Sequence, residues 1–218
     1  METLYTYDTT EFPFKSLVAS VFDNHALNRL HELIPDEETP TELFTQKTDS
    51  NSFLHKKFYA RLHEGWPELI ETYQRFICEV IKPIVDSDEL IYQKTPTFRA
   101  HIPNNLAVGA FHRDKDYNHP PNEINFIIPL TDCYESNTLI TESEPDKMDF
   151  HQIEMKHGQL LKFDGNNCTH GSLPNRTGVT RVSMDFRVVL PEKYDEHFST
   201  KSMTRKMKFV VGGYYEKI

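Results

Sequence analysis

The sequence has few cysteines, no long apolar run and no excess of positive charge, and each of these deficiencies excludes a class of protein. The three cysteines, Cys78, Cys133 and Cys168, are too few and too scattered for a disulfide framework, and they form no CxxC pair. A cysteine-rich zinc site is therefore excluded, and a reducing, cytoplasmic setting is expected. Since no apolar run approaches the roughly 20 residues of a membrane helix, we expect neither a membrane anchor nor a signal peptide.

The charge balance of the chain argues against nucleic acid as a partner. The 218 residues include 24 Lys and Arg against 33 Asp and Glu, which gives a net charge of −9. Phosphate backbones repel such a chain, and no dense basic cluster offsets the repulsion. With 38% hydrophobic residues the composition is that of a globular protein, long enough for one domain with a real core. A small molecule is the expected partner.

The first part of the chain has a helical pattern. Apolar residues recur near the helical period in 15–35 and again in 51–85. Pro67 is expected to open or kink the second helical stretch, and Pro83 to end it. We interpret residues 1–90 as mainly helical support. The histidines assigned to these helices, without a catalytic role, are His25, His31, His55 and His63.

From about residue 91 the pattern becomes strand-like, with turn-forming residues between short alternating segments. The expected strand segments are 91–103, 105–111, 123–131, 137–143, 150–155, 158–164 and 180–190. Strands that follow helices, rather than alternate with them, favour a mainly β fold over a parallel α/β sheet. We expect a barrel or two-sheet jelly roll within a single domain spanning 1–218. Its core would be 91–190, followed by a C-terminal extension over 191–218.

A possible metal-binding pair lies at His112 and Asp114. Residues two apart on an extended segment point to the same side, so an imidazole and a carboxylate can be presented together. A second histidine would complete a triad of two histidines and one carboxylate, which binds one side of an iron(II) ion and leaves the other side open. Alone the pair is a weak signal, because a histidine beside an acid is equally consistent with coincidence.

A second group of polar residues follows His170. On the strand after it, the side chains of Arg181, Ser183, Asp185 and Arg187 alternate with apolar ones and share one face. The apolar face must pack against other elements. Buried charges persist only when they are paired or bound to a ligand, so the polar face either lines a binding site or faces solvent.

The ordered set His112-x-Asp114, His170 and Arg181-x-Ser183 resembles the motif of the 2-oxoglutarate- and iron(II)-dependent dioxygenases. Asp114 and His170 are separated by 55 residues, and His170 and Arg181 by ten, and both gaps fall within the range of that superfamily. The resemblance implies a double-stranded β-helix, or jelly roll, with flanking helices. It also implies that the two histidines and the aspartate hold iron(II), and that Arg181 and Ser183 bind the distal carboxylate of 2-oxoglutarate.

The resemblance is greatest to oxygenases of the streptomycin-biosynthesis type and covers about residues 95–215. The implied reaction uses O2 and converts 2-oxoglutarate to succinate and CO2. Related halogenases lack the metal-binding carboxylate, so Asp114 favours hydroxylation, or a desaturation or ring closure, over chlorination. The expected substrate is a small polar metabolite, such as an amino acid, a guanidino compound or a sugar-like molecule.

Further polar residues are candidates for ligand contacts. If the polar side of 123–126 faces the cavity, Asn125 would contact 2-oxoglutarate or an iron-bound oxygen, and Glu123 would contact substrate; a solvent-facing strand start is the alternative. Arg187 could hold a substrate acid or pair near Asp185, and Arg99 could be a paired surface residue. Besides Glu123, the substrate-binding candidates are Arg99, Arg187, Tyr117 and His119.

Two other functions remain open at this stage. One is a cupin-type metalloenzyme that does not use 2-oxoglutarate, although it would have no need of the Arg181-x-Ser183 pair. The other is a non-catalytic β-sandwich binding module with incidental histidines, which would bind no stoichiometric metal.

Overall fold

The structure is a computed structural model that describes residues 2–43, 51–107, 110–198, 200–203 and 206–218. The helices are α1 (Phe14–Val21), α2 (Phe53–His63), α3 (Pro67–Phe76) and α4 (Lys82–Val85), with a π-helical turn at Ile77–Ile81. The strands are β1 (Thr3–Thr6), β2 (Ile91–Gln93), β3 (Thr97–His101), β4 (Ile124–Pro129), β5 (Leu139–Thr141), β6 (His151–Ile153), β7 (Gln159–Phe163), β8 (His170–Gly171), β9 (Arg181–Val189) and β10 (Tyr215–Lys217). Short 3-10 turns lie at Leu27–Leu33, Asp36–Glu38, Asp114–Tyr117, Glu135–Asn137 and Pro191–Lys193.

Within the described residues the strands form two antiparallel sheets. The larger has seven strands in the order β1-β7-β4-β9-β2-β10, and β3 also pairs with β9. The smaller has the order β6-β5-β8. This confirms a mainly antiparallel β fold in which the helices precede most of the sheet. The finer jelly-roll designation and the single-domain division stay predictions.

Strand β9 separates the packed core from the polar side of the large sheet. Its alternating apolar side chains are fully buried, and the ring of Phe186 contacts Tyr73 of α3 edge-on at 5.3 Å and stacks on Phe126 of β4 at 5.4 Å. Helix α2 covers the neighbouring strand, where Phe58 stacks on Phe98 at 4.5 Å. Because the apolar face is turned to the helices, the polar face of β9 points to the other side of the sheet.

The helical part agrees with expectation at Pro67 and differs from it at the 15–35 segment and at Pro83. The 15–35 segment is not one helix, because α1 ends at Val21 and a separate 3-10 turn follows, with His25 outside both. Pro67 opens α3 as predicted, at a position where its missing N–H is tolerated. The prediction that Pro83 ends the helix is wrong. It lies in the first turn of α4, which runs to Val85, and a left-handed residue follows.

The strand part also has two differences from the expected pattern. Of the expected segment 105–111, residues 108 and 109 lie outside the described residues, and the other residues are not in a strand. Strands β1 and β10 were not expected, and they pair with β7 and β2. In the part of the chain that the structure describes, no helix is both long and apolar enough to cross a membrane.

Candidate active site

Backbone hydrogen bonds bring the three expected metal ligands together. His112 and His170 pair as an isolated antiparallel bridge, with N–O distances of 2.9 Å in both directions. Asp114 begins the 3-10 turn Asp114–Tyr117, and its amide donates to the carbonyl of Gly165 at 2.9 Å. The sequence pattern suggested that Asp114 and His112 share one extended segment. Asp114 lies instead in a 3-10 turn, yet the two side chains still converge.

The ligand atoms of this triad are close enough for one ion. The Asp114 Oδ1 atom lies 3.6 Å from His112 Nε2 and 3.9 Å from His170 Nε2. All three ligand atoms lie within 4.8 Å of one another. Two imidazoles and one carboxylate are a donor set that suits iron(II).

Both histidines are held in the form that a metal requires. His112 Nδ1 lies 3.1 Å from the Ala110 carbonyl oxygen, and His170 Nδ1 lies 3.0 Å from the Cys168 carbonyl oxygen. A carbonyl oxygen only accepts hydrogen bonds, so each Nδ1 carries a hydrogen, and in the neutral imidazole each Nε2 keeps the lone pair that a metal needs. Burial also lowers the pKa of His170 to about 4, which keeps its imidazole neutral at pH 7.

The second oxygen of Asp114 is held by two buried side chains. Its Oδ2 atom accepts hydrogen bonds from Asn125 Nδ2 at 2.7 Å and from Arg187, with Nε at 2.9 Å and Nη2 at 2.8 Å. Burial opposes ionisation, but the Arg187 guanidinium and His112 outweigh it and hold the pKa of the Asp114 carboxyl well below its usual range. Oδ1 is thus left for the ion, an outer-shell arrangement common at metal sites.

The sequence alone did not indicate the hydrogen-bond partners of Asn125 and Arg187. They are direct cross-strand partners on β4 and β9. Asn125 bonds Asp114, whereas a contact with 2-oxoglutarate or an iron-bound oxygen was expected. Its Oδ1 atom is buried without a hydrogen-bond partner among the described residues. Arg187 lies closer to Asp114 than to Asp185, which is 3.8 Å away, so the expected Asp185 neighbourhood is not its main partner.

An inner cavity of about 60 Å³ joins the triad to the expected 2-oxoglutarate residues. Its lining includes His112, His170, Arg181 and Ser183. Arg181 donates from Nη1 to Ser183 Oγ at 2.7 Å. The guanidinium also donates from Nε to the carbonyl of Asn137 at 3.1 Å. Apolar walls come from Ile127, Leu139, Met155 and Phe163.

An outer cavity of about 630 Å³ adjoins the same triad and shares His112, Arg99 and Arg187 with the inner one. Tyr117, His119 and Arg99 line it, as expected of substrate-binding candidates, and Arg99 is ion-paired to Asp185 at 3.4 Å. The helical part does more than support the sheet, because its residues form one wall of this cavity. These residues include His55, Tyr59, His63 and Trp66.

Glu123 lies behind the wall of the outer cavity rather than on it. Its side chain is fully buried, and its Oε2 atom lies 2.7 Å from His119 Nδ1. The Tyr215 hydroxyl donates to Oε1. Glu123 lines neither cavity, which differs from the direct substrate contact expected from its strand face.

Two polar residues of this site were missed by the sequence analysis. Gln93 accepts through Oε1 from the Tyr214 hydroxyl at 2.9 Å and from Arg187 Nη1 at 3.3 Å. Tyr214 lies just before β10, which reaches Gln93 only because β10 pairs with β2. No local pattern indicates a pairing over such a distance along the chain.

The two sheets and the convergent His–Asp–His group define a β-sheet protein with a candidate metal centre. The structure of EctD from S. alaskensis with bound Fe is similar in fold, with a TM-score of 0.50 and 15% identity, over 92% of this chain and 76% of that one. No protein-family model matches the chain. The streptomycin biosynthesis protein StrG of Streptomyces griseus is 33% identical over 216 residues, which are 99% of this chain and 98% of StrG. The chain belongs to the StrG family.

Proposed function

We propose that this chain is an iron(II)- and 2-oxoglutarate-dependent oxygenase that hydroxylates a small polar metabolite. The observation that carries the proposal is the convergence of His112 Nε2, His170 Nε2 and Asp114 Oδ1 within 4.8 Å. The hydrogen bonds to the opposite side of each ligand fix these atoms in the metal-binding orientation. Such a donor set leaves ligand positions open for a co-substrate and O2.

The use of 2-oxoglutarate is supported by the inner cavity. Arg181 and Ser183 together offer a guanidinium and a hydroxyl, groups that suit one carboxylate end of a dicarboxylic acid. The apolar walls between them and the triad suit its methylene groups. Asn125 also lines this cavity, and its buried Oδ1 atom has no hydrogen-bond partner among the described residues. The two sheets around these residues would then be the two halves of a jelly roll.

Iron(II) and 2-oxoglutarate together would supply O2 activation, with one oxygen atom entering succinate as CO2 leaves and the other entering a C–H bond of the substrate. The protein's part is to hold the reactants. Arg181 and Ser183 orient the co-substrate, and Asn125 and Arg187 fix Asp114. Asp114 itself favours hydroxylation over chlorination, because its carboxylate would occupy the position that chloride needs. A small-metabolite substrate is supported by the relative StrG, which is a streptomycin biosynthesis protein.

The test is succinate formation from 2-oxoglutarate, with added Fe(II) and a panel of polar metabolites. We expect metabolite-stimulated succinate in the wild type and in His197→Ala, whose histidine is highly exposed. Succinate should be lost in His112→Ala and Asp114→Ala. Full 2-oxoglutarate-dependent turnover in either ligand variant would contradict the proposal. Metal-dependent turnover that needs no 2-oxoglutarate would instead favour the cupin-type alternative.

A further inference from the structure

His119 is fixed on the outer cavity wall by a buried carboxylate. Glu123 Oε2 lies 2.7 Å from His119 Nδ1, while Glu123 Oε1 accepts from the Tyr215 hydroxyl. The Nε atom of Arg187 lies 4.0 Å from Oε2. A carboxylate only accepts, so His119 Nδ1 carries a hydrogen, and in the neutral imidazole Nε2 keeps a lone pair.

The Nε2 atom of His119 lies on the side of the ring away from Glu123. His119 lines the outer cavity and Glu123 does not, so the ring edge that carries Nε2 is the edge available to the cavity. Within the described part of the chain, Nε2 has no hydrogen-bond partner. The rings of Phe209, at 4.8 Å, and Tyr214, at 5.9 Å, pack against the imidazole and limit its rotation. The result is a fixed hydrogen-bond acceptor beside the candidate metal centre.

The charged groups around the outer cavity disfavour a cation as its occupant. Among the described residues that line it, Asp114 is the only one with a carboxylate; its Oδ2 atom binds Arg187, and its Oδ1 atom is the one left for the candidate metal. The positive charges on the wall are those of Lys94, Arg99 and Arg187, which are ion-paired with Glu216, Asp185 and Asp114. Among the described lining residues, a guanidinium or ammonium group would find no carboxylate that is not already paired, and burying a charge without a partner is costly. A hydroxyl group can donate to His119 without that cost.

We propose that His119 Nε2 accepts a hydrogen bond from a substrate hydroxyl, and that the substrate is a polyhydroxylated molecule without positive charge. The inference rests on the proposed function in one respect, that the outer cavity is the substrate site. Of the three expected substrate classes, which are amino acids, guanidino compounds and sugar-like molecules, the inference selects the sugar-like one. Glu123 and Tyr215 are positioning residues, because they act through His119 and do not line the cavity.

The first test reads the tautomer directly. Long-range ¹H–¹⁵N spectra of histidine-labelled full chain, recorded with and without Zn²⁺ and assigned with His119→Phe, should show His119 as one tautomer with hydrogen on Nδ1. Glu123→Gln should convert it to a mixture. Hydrogen on Nε2 in the wild type would overturn the inference. Unchanged His112 and His170 resonances on Zn²⁺ addition would instead count against the proposed metal site alone.

The second test concerns the substrate class. Saturation-transfer NMR on the Zn²⁺-loaded chain would use neutral hexoses and cyclitols as probes, with agmatine as the guanidino probe. We expect at least one polyol to bind the wild type and the exposed-site control His197→Phe. That signal should be lost in His119→Phe, and agmatine should give none. Agmatine binding that depends on His119, equal polyol binding by His119→Phe, or no polyol binding at all would each overturn the assignment.

Discussion

The side chains behind Asp114 determine how well the carboxylate is aimed at a metal. Asn125 donates to Oδ2, so its removal frees the carboxylate to rotate and leaves one fewer partner for a buried charge. Asn125→Ala should lower affinity for Mn²⁺ or Fe²⁺ by about 10–100-fold, the usual loss when such an outer-shell contact is removed. Chelator competition measures the affinity. The exposed Asn122→Ala should match the wild type, and equal affinity in Asn125→Ala would contradict the role given to this amide.

His55 provides a pH-dependent contribution to stability that does not involve the metal. Burial, and secondarily Arg99, lower its pKa from 6.5 to about 3. Below about pH 6.5 the unfolded chain gains a proton that the folded chain does not, so this contribution is present above pH 6.5 and is lost as the pH falls towards 3. One proton corresponds to a slope of about 1.4 kcal/mol per pH unit.

Urea unfolding of the metal-free chain between about pH 4.5 and about pH 6 measures this slope. His55→Gln should make the slope shallower by about 1.4 kcal/mol per pH unit. The exposed His197→Gln should leave it close to the wild type. An unchanged slope in His55→Gln would mean that this imidazole is not held neutral in the folded protein.

At the scale of elements, the two faces of β9 should separate stability from co-substrate binding. Phe186 packs in the core, so Phe186→Ala should reduce the free energy of unfolding by about 3–5 kcal/mol. Ser183 lies on the polar face, and Ser183→Ala should weaken 2-oxoglutarate binding about tenfold, the equivalent of one hydrogen bond to a charged group. Chemical denaturation and calorimetry measure the two effects. Equal losses of stability in both variants would contradict the assignment of stability to the apolar face of β9 and of co-substrate binding to its polar face.

The β9 faces also show how much the sequence can predict. Alternation along one strand is local, so the shared face of Arg181, Ser183, Asp185 and Arg187 was predictable, as were most of the strands. The partner of each side chain depends on strand register. Asn125 and Arg187 meet because β4 and β9 pair in one register, and no single-strand pattern contains that information.

Short strands and helix boundaries were predicted less well for a related reason. β1 and β10 have only four and three residues, too few for a clear alternation, and both form by pairing with distant strands. The hydrogen bond from the Tyr215 hydroxyl to Glu123 depends on the position of β10. The resemblance named three residues that the structure brings together, whereas the residues that orient them became visible only in the fold.

For the whole molecule, ligand binding should be linked to thermal stability. The triad and the inner cavity form only in the folded chain, so metal and 2-oxoglutarate bind the native state selectively. At a concentration of about 100 times its Kd, one such ligand adds about 2.7 kcal/mol. In a chain of this size that corresponds to a rise in Tm of about 5–11 °C. Thermal scans with Mn²⁺ and 2-oxoglutarate should show it. An equal rise in His112→Ala would indicate binding elsewhere.

Calorimetric titration of 2-oxoglutarate into the Mn²⁺-loaded chain tests the central claim most directly, since it needs no knowledge of the substrate. We expect stoichiometric binding to the loaded wild type, none to the metal-free chain, and none to Arg181→Met, whose Mn²⁺ affinity should be retained. Arg176→Met, which changes an exposed arginine, is the matched control. Metal-independent binding, undiminished binding by Arg181→Met, or no binding to the loaded wild type would contradict a 2-oxoglutarate-dependent oxygenase.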